Sequence, residues 1–383
     1  MPLSWNDGQG EPHSAQWRGS APPPKRLRAA SDGLSSASAL HALSEGWGLV
    51  WEGDYHQAVQ LLQALKRRLK PAPRGATPLD TFHLARKAQA EHSRLLNRLL
   101  LAFEAGHELP LRRAPETLAA AQAALGEAPE PYLLPLREWL GCMGSWQWRQ
   151  AGLALPQLGG ARLHVHHGVF APTRNEYLDL VQQAPLPAAL AAHPLALDVG
   201  TGSGVLAALL GRRGVRELLL TDTSERALAC AAENLQRLGV AGVRLEPAAL
   251  FGSARAAGLI VCNPPWLPGK VNGPLDAAVY DPDSAMLRGF LAGVGERLAP
   301  GGEAWLIVSD LAERIGLRAP GELQGWMDAA GLRLLGRLDT RPRHGRARDD
   351  EDALHRLRRE EIVSLWRLGA GLTDRAGSSP DRR

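Results

Sequence analysis

The stretch LALDVGTGSGVL, Leu195 to Leu206, decides the fold. An apolar run ends at Asp198-Val199, glycines follow at 200, 202 and 204, and a second apolar run begins at Val205. That is a strand, a tight turn and a helix start. Glycines there let a ligand approach the backbone, and the helix N-terminus behind them offers free N–H groups. Outward from this turn, strands and helices alternate: LALDV, VLAALLGRR, ELLLTD, ERALACAAENLQRLG, AGLIVCN. Such alternation predicts a parallel sheet with helices on both faces. DSAMLRGFLAGVGERLAPGG predicts a further helix, with Asp283 or Ser284 as its cap. Its buried face is Leu287, Phe290, Leu291, Val294 and Leu298, and Pro300-Gly301-Gly302 is its stop. WLIVSD is the next strand, and GLRLLGRL with EIVSLWRL predicts an antiparallel pair at the sheet edge.

The glycine loop is not a dinucleotide fingerprint, because the third small residue of that pattern falls on Val205. Asp198, two residues before the first glycine, is a poor neighbour for a pyrophosphate and a good one for a cation. Asp222 ends the next strand, where an acid holds ribose hydroxyls. A ligand with a ribose and a positive charge describes S-adenosylmethionine. Asp198, Gly200, Thr201, Gly202, Gly204 and Asp222 are its candidate contacts, with Asn263 beside them.

VCNPPWLPG, Val261 to Gly269, closes a later strand with Asn263-Pro264-Pro265-Trp266. Proline lacks an N–H, fixes φ, and pushes the preceding residue to extended geometry, so this is a rigid ledge at a strand end. A planar amine has a delocalised lone pair and is a poor nucleophile. The Asn263 side-chain oxygen and the Pro264 carbonyl are candidate acceptors for its two N–H groups, held in place by the prolines. Trp266 offers a flat face to a planar group. These four residues are the candidate catalytic set, and no general base is required.

The chain has 383 residues, enough for two domains and tails, and a net charge of only +4. Five of its 44 basic residues are lysine; so large an arginine excess fits a compositional bias more than chosen contacts. Cys142, Cys230 and Cys262 are scattered, without metal-ligand spacing, which fits a reduced cytoplasmic protein. No run reaches the roughly 18 apolar residues of a membrane span, and Met1 to Gly19 lacks the apolar region of a secretory signal. His164, His166 and His167 alternate across a strand without an acid or cysteine nearby, so no metal is expected.

The expected organisation has five parts. Residues 1–35, rich in Pro, Ser, Gly and Ala, are a disordered tail. Residues 36–144 are a helical substrate-recognition domain. GDYHQAVQLLQALKRRLK aligns Ala58, Leu62, Leu65 and Leu69, LARKAQAEHSRLLNRLLLAFEA aligns Leu84, Ala88, Leu95, Leu99 and Phe103, and APETLAAAQAALG stops at Gly126. Residues 145–175 are a β-hairpin linker, WQWRQAGLAL and ARLHVHHGVF around PQLGG. Residues 176–368 are the α/β domain and 369–383 a second tail. Lys270 to Asp283 is expected to be a substrate lid. The basic run 341–359, broken by Asp349 to Asp352, is expected to be a compensated surface loop.

With these motifs the chain resembles class I S-adenosylmethionine-dependent methyltransferases that carry Asn/Asp-Pro-Pro-aromatic. That group includes N6-adenine and N2-guanine methyltransferases and the HemK/PrmC-type protein glutamine methyltransferases. The resemblance covers about 145 to 368. It implies a Rossmann-like seven-stranded methyltransferase sheet whose final strand is antiparallel, joined to an N-terminal helical domain and a linking β-hairpin. VHHGVFAPTRNEYLDLV resembles the segment before the glycine loop in HemK-type enzymes, which makes Phe170, Pro172 and Arg174, with Trp266, the candidate substrate contacts. Two acids usual in the family are missing: Ala249 stands near the end of the third strand, and Gly258 stands before the NPPW strand. The expected partner is ribosomal or transfer RNA, methylated on an exocyclic purine amine. The alternative is a glutamine carboxamide in a protein such as a release factor, and a third reading is a partner- or RNA-binding fold without catalysis. A basic stripe on the N-terminal domain suits RNA; a mixed or apolar groove suits a protein.

Overall fold

A computed structural model describes residues 2–271, 276–343 and 354–371. The chain divides into two units. Of the described residues, one comprises 2–154 and Arg162–Ala171; the other comprises Leu155–Ala161, Pro172–Val271, 276–343 and 354–371.

The N-terminal unit is built on a sheet, which corrects two expectations. Its strands are β1 (Leu3–Asn6), β2 (Pro12–Trp17), β3 (Arg26–Ala30), β4 (Trp47–Trp51), β5 (Leu99–Phe103) and β6 (Tyr132–Pro135), in the spatial order β1-β2-β6-β5-β4-β3. Strands β3, β4 and β5 run parallel. Helices α1 (Ser36–Ser44), α2 (Tyr55–Arg68), α3 (Pro78–Leu96), α4 (Leu118–Leu125) and α5 (Leu136–Ala151) complete the unit.

Residues 1–35 are therefore not a tail. Trp5 and Ala15 pack with Val50, Leu100 and Leu133 on one face of the sheet. The other face carries Leu49, Trp51, Leu99, Leu101 and Leu134. Nor are residues 36–144 all helical. Central strands buried on both faces read as unbroken apolar runs, here GLVW, LLLAF and YLLP, and a short run of that kind has no period to separate it from helix. The expected helix through Leu99 and Phe103 stops at Leu96, where Asn97 caps it, and those two residues lie on β5. The hairpin expected over 145–175 also shrinks. Trp146 and Trp148 belong to α5, whose face buries Trp139 and Cys142, and Gly152 at φ +68° ends it. Only β7 (Leu153–Ala154) and β8 (Arg162–Leu163), two residues each, remain of the hairpin.

The C-terminal unit contains α6 (Glu176–Gln183), β9 (Leu195–Val199), α7 (Val205–Arg212), β10 (Glu217–Asp222), α8 (Glu225–Arg237), β11 (Val243–Pro247), β12 (Ala257–Cys262), α9 (Ala285–Val294), β13 (Leu298–Ser309), α10 (Leu311–Ile315), α11 (Glu322–Ala329), β14 (Leu332–Thr340), α12 (His355–Glu360) and β15 (Val363–Ala370). They form the Rossmann-like seven-stranded sheet, in the order β11-β10-β9-β12-β13-β15-β14. Strands β9 to β13 are parallel to one another, while β15 runs antiparallel to both β13 and β14. The strand order reverses between β9 and β12, and the carboxyl ends of such a pair open a crevice.

The last strand extends to Ala370, so the C-terminal tail does not begin at 369; its residues 372–383 lie outside the described residues. So do 272–275 of the expected lid and 344–353 of the expected basic loop. The remainder of the lid segment is tied down. Leu267 pairs with Tyr280, the Leu267 amide donates to the Val279 carbonyl, and the Asp281 amide donates to the Leu267 carbonyl. Among the described residues no helix is long and apolar enough to cross a membrane.

Candidate active site

The glycine turn closes through its own backbone. Gly200, Gly202 and Gly204 have φ of +68°, +54° and +78°, a region that side chains rarely enter. The Gly200 and Thr201 amides donate to the Thr221 carbonyl, at 2.9 and 3.0 Å. A Cβ on Gly204 would stand 3.1 Å from Ala231, so α7 packs closely on α8 there. Asp222 fixes the turn from the next strand: its Oδ2 accepts from the Gly202 amide at 3.0 Å and its Oδ1 from the Ser224 amide at 2.9 Å. Asn234, buried on α8, donates to the Ser203 carbonyl.

Asp198 is fully buried beneath the turn. Its Oδ2 accepts from the Thr201 hydroxyl at 2.8 Å, while Oδ1 is buried without a hydrogen-bond partner. Burial pushes its carboxyl up to about 7, against hydrogen bonds from the Thr201 side chain and the Ala207 backbone. An incompletely satisfied buried carboxylate suits a cation and disfavours a phosphate. The residues present thus fit the ribose- and cation-bearing ligand expected from the sequence. Met286 of α9 lies against Gly200: a Cβ there would be 3.0 Å from the Met286 terminal carbon.

Beside this turn stands the NPPW ledge. In register, Val261 lies next to Asp198 and Cys262 next to Val199, so Asn263 leaves β12 alongside Gly200, the first residue after β9. The Asn263 amide is held on two sides. Its Oδ1 accepts from the Trp266 indole N–H at 2.9 Å, and the phenol of Tyr177, buried on α6, hydrogen-bonds the same side chain. Burial, with the nearby Asp198 and Glu176 charges, drives the Tyr177 pKa far up, so the phenol keeps its proton.

One face of Trp266 meets the Arg174 guanidinium, 4.7 Å from the ring centroid. Arg174 is shared by two buried carboxylates: it donates to Glu176 Oε1 at 3.0 and 3.1 Å and to Glu361 Oε1 at 3.1 Å. The Ser309 hydroxyl at the end of β13 also donates to Glu361 Oε1, and Glu361 Oε2 is buried without a partner. The corner beyond Trp266 therefore holds two carboxylates against one guanidinium.

Most of the expected residues gather here. Asp198, Gly200, Thr201, Gly202, Gly204, Asp222 and Asn263 to Trp266 line adjacent strand ends, and Arg174 reaches Trp266. Pro172 is buried in the same unit; Phe170 is an exposed residue of the N-terminal unit. Sequence reading missed Tyr177, Glu361 and Asp281. Asp281, not Asp283 or Ser284, caps α9, accepting from the Met286 and Leu287 amides at 3.0 and 3.1 Å. Asp283 and Ser284 are themselves in left-handed conformation, so neither side chain reaches the helix end. Leu298, expected on that helix, opens β13.

The two missing acids have physical accounts. A Cβ on Gly258 would stand 2.3 Å from the His193 carbonyl, so an aspartate does not fit. The third strand does end near an acid, Glu246, but its carboxylate is occupied by the Ser253 amide and hydroxyl. Of the histidines, His164 donates to the Arg149 carbonyl and His167 meets the Ser145 hydroxyl. Among the described residues no group of three or more His, Cys, Asp or Glu is placed to hold a metal ion.

Comparison with known proteins bears on the same segment. Residues 160–314 match the Methyltransferase small domain family. The chain is 35% identical to the release factor glutamine methyltransferase of Deinococcus radiodurans, over 38% of this chain and 55% of that protein. It is 32% identical to the release factor glutamine methyltransferase of Cereibacter sphaeroides, over 43% of this chain and 62% of that protein. It is 30% identical to the ribosomal RNA small subunit methyltransferase C of Chromohalobacter salexigens, over 40% of this chain and 43% of that protein. The matches span about half the length of these relatives. The glycine turn, both aspartates and the NPPW ledge, carried on a Rossmann-like sheet, all fall inside the segment that matches the Methyltransferase small domain family.

Proposed function

We propose that the C-terminal unit is an S-adenosylmethionine-dependent N-methyltransferase, acting on an exocyclic purine amine in ribosomal or transfer RNA. The observation that carries this reading is the placement of Asn263 beside the glycine turn, its amide oriented by Tyr177 and Trp266. S-adenosylmethionine, when bound, supplies a methyl group activated by a positive sulfonium. Asp198 and Asp222 would hold its cationic and ribose ends. Asn263 Oδ1 has one lone pair engaged by Trp266 and a second left for an acceptor N–H, and the Pro264 carbonyl takes the other N–H. Both acceptors favour the nitrogen lone pair leaving conjugation, and the rigid ledge needs little reorganisation. The rest of the effect is alignment of nitrogen and methyl carbon. The proton released from nitrogen passes to solvent.

The relatives act, by name, on release factors or on small subunit ribosomal RNA. A helical N-terminal domain would favour a protein glutamine acceptor, because it matches the architecture of those enzymes. The N-terminal unit is instead a six-stranded sheet with flanking helices, which removes that support. The test has two parts. Calorimetric titration should give micromolar S-adenosylmethionine binding that Asp222→Ala abolishes. A radiolabelled-methyl screen over RNA and protein fractions should then label RNA, and Asn263→Ala should abolish labelling while cofactor binding persists. Label in protein alone makes the glutamine reading correct. No cofactor binding by the wild type makes the unit a non-catalytic binding fold.

A further inference from the structure

The charge of this chain is concentrated in one place. Between Lys66 and Arg98 stand nine lysines and arginines and two acids, Asp80 and Glu91, a local net charge of +7. The whole chain carries +4, so everything else sums to −3. Three of the five lysines, Lys66, Lys70 and Lys87, fall in these 33 residues, so the arginine-favouring composition does not account for them. The segment is the end of α2, the Pro-rich connection and α3. Lys66, Arg67, Arg68, Lys70, Arg74, Lys87 and Arg94 are all exposed. The apolar sides of the two helices are spent on the core through Leu61, Leu62, Leu65, Phe82 and Leu96. A groove between them has Lys66, His92 and Arg137 on its sides and Leu69, Ala88 and Leu96 among its lining. At the end of α3, burial first, then the neighbouring Arg94 charge, lowers the pKa of Arg98. Like charges gathered in one segment repel one another, and a polyanion relieves that repulsion.

We propose that the α2–α3 helical pair is the surface on which the RNA substrate's phosphate backbone is held, with the groove taking an unpaired nucleotide. The inference rests on the RNA reading above. A protein partner would need a strongly acidic face of matching length; an RNA strand supplies regularly spaced phosphates by construction. The lysines are point charges suited to positioning a backbone without reading its sequence.

The test uses the full chain and a short fluorescein-labelled single-stranded RNA, titrated by anisotropy at several salt concentrations. The triple variant Lys66→Gln/Lys70→Gln/Lys87→Gln is compared with Arg216→Gln/Arg237→Gln/Arg333→Gln, which removes the same charge from exposed positions of the C-terminal unit. Melting temperature and S-adenosylmethionine titration check that each variant is folded. If the lysine triple variant melts early, the single variants Lys66→Gln and Lys87→Gln replace it. The expected result is an affinity loss of about tenfold or more and a log K against log salt slope shallower by about 2, roughly 0.7 for each phosphate no longer neutralised. The control variant should keep the wild-type slope. Equal slopes in all three proteins overturn the assignment of this surface and leave the RNA reading standing. Failure of the wild type to bind any RNA at low salt, with methyl label entering protein, overturns the RNA reading itself and this surface with it.

Discussion

At the scale of single residues, the site is governed by what Asp198 lacks and what Trp266 supplies. Asp198 has a buried oxygen without a partner and a carboxyl pushed up to about 7 by burial. Such an acid binds its proton more tightly folded than unfolded. The stability it contributes is complete below its ordinary value of 3.8 and is lost as pH rises through about 7. A cationic ligand favours the ionised form, so S-adenosylmethionine affinity should rise with pH and level off above about 7. Titrations at pH 6 and pH 8 should differ by roughly tenfold, about one pH unit below the pKa costing about one decade of ionised carboxylate. Asp198→Asn should bind weakly at both pH values and lose the dependence; an unchanged dependence in that variant removes Asp198 from the cofactor site. Trp266 supplies what tyrosine or phenylalanine cannot, an N–H donated to Asn263 Oδ1. Trp266→Phe keeps the ring over which Arg174 lies and deletes that bond, worth about 0.5–1.5 kcal/mol. The expected result is kcat down by roughly two- to tenfold, with cofactor affinity unchanged. A fall in KM with kcat intact would mean that the indole competes with substrate for Asn263.

At the scale of elements, the strand–turn–helix at 195–212 and the ledge at 263–266 were legible because glycine and proline restrict the backbone almost independently of context. The alternation from Leu195 onward was legible for a related reason: amphipathic helices such as α8 interrupt short apolar strands. The N-terminal strands were not. GLVW, LLLAF and YLLP carry no period, and LLLAF follows a true helix after only Asn97 and Arg98, so a single helical pattern spans both. Tyr177 and Glu361 were illegible for a different reason. Each becomes part of the site only through a long-range contact, Tyr177 with Asn263 and Glu361 with Arg174, and no local pattern encodes such a pair. Gly258 shows how packing fixes a residue type at this scale. β12 passes so near the His193 carbonyl that an added Cβ lies 2.3 Å from it. Gly258→Ala should therefore destabilise the C-terminal unit by about 1–3 kcal/mol, read as a shifted urea midpoint with an unchanged slope. Tolerance of alanine there would mean that β12 and the 188–193 turn separate easily.

At the scale of the whole molecule, the first thirty residues separate two views of the chain. A tail contributes no packing, and its removal is silent. β1, β2 and β3 instead provide both edges of the N-terminal sheet: β2 lies beside β6 and β3 beside β4. Trp5, Ala15 and Ala30 are each less than a tenth exposed, and Trp5 with Ala15 covers the face of Val50, Leu100 and Leu133. Deleting residues 1–34 would uncover those three side chains, at about 1.5–3 kcal/mol for each large aliphatic returned to water, and would leave two strand edges unpaired. Losses of that order approach the entire stability of an ordinary domain. The deletion variant should therefore lose a cooperative transition of the N-terminal unit, and limited proteolysis should cut within 36–151 at protease levels that leave the wild type intact. The seven-stranded sheet contains none of the deleted residues, so a protected C-terminal fragment should survive and still titrate with S-adenosylmethionine. Wild-type protease resistance in the deletion variant would return residues 1–34 to the status of a tail. Loss of cofactor binding together with the N-terminal fold would show instead that the C-terminal unit does not fold without it.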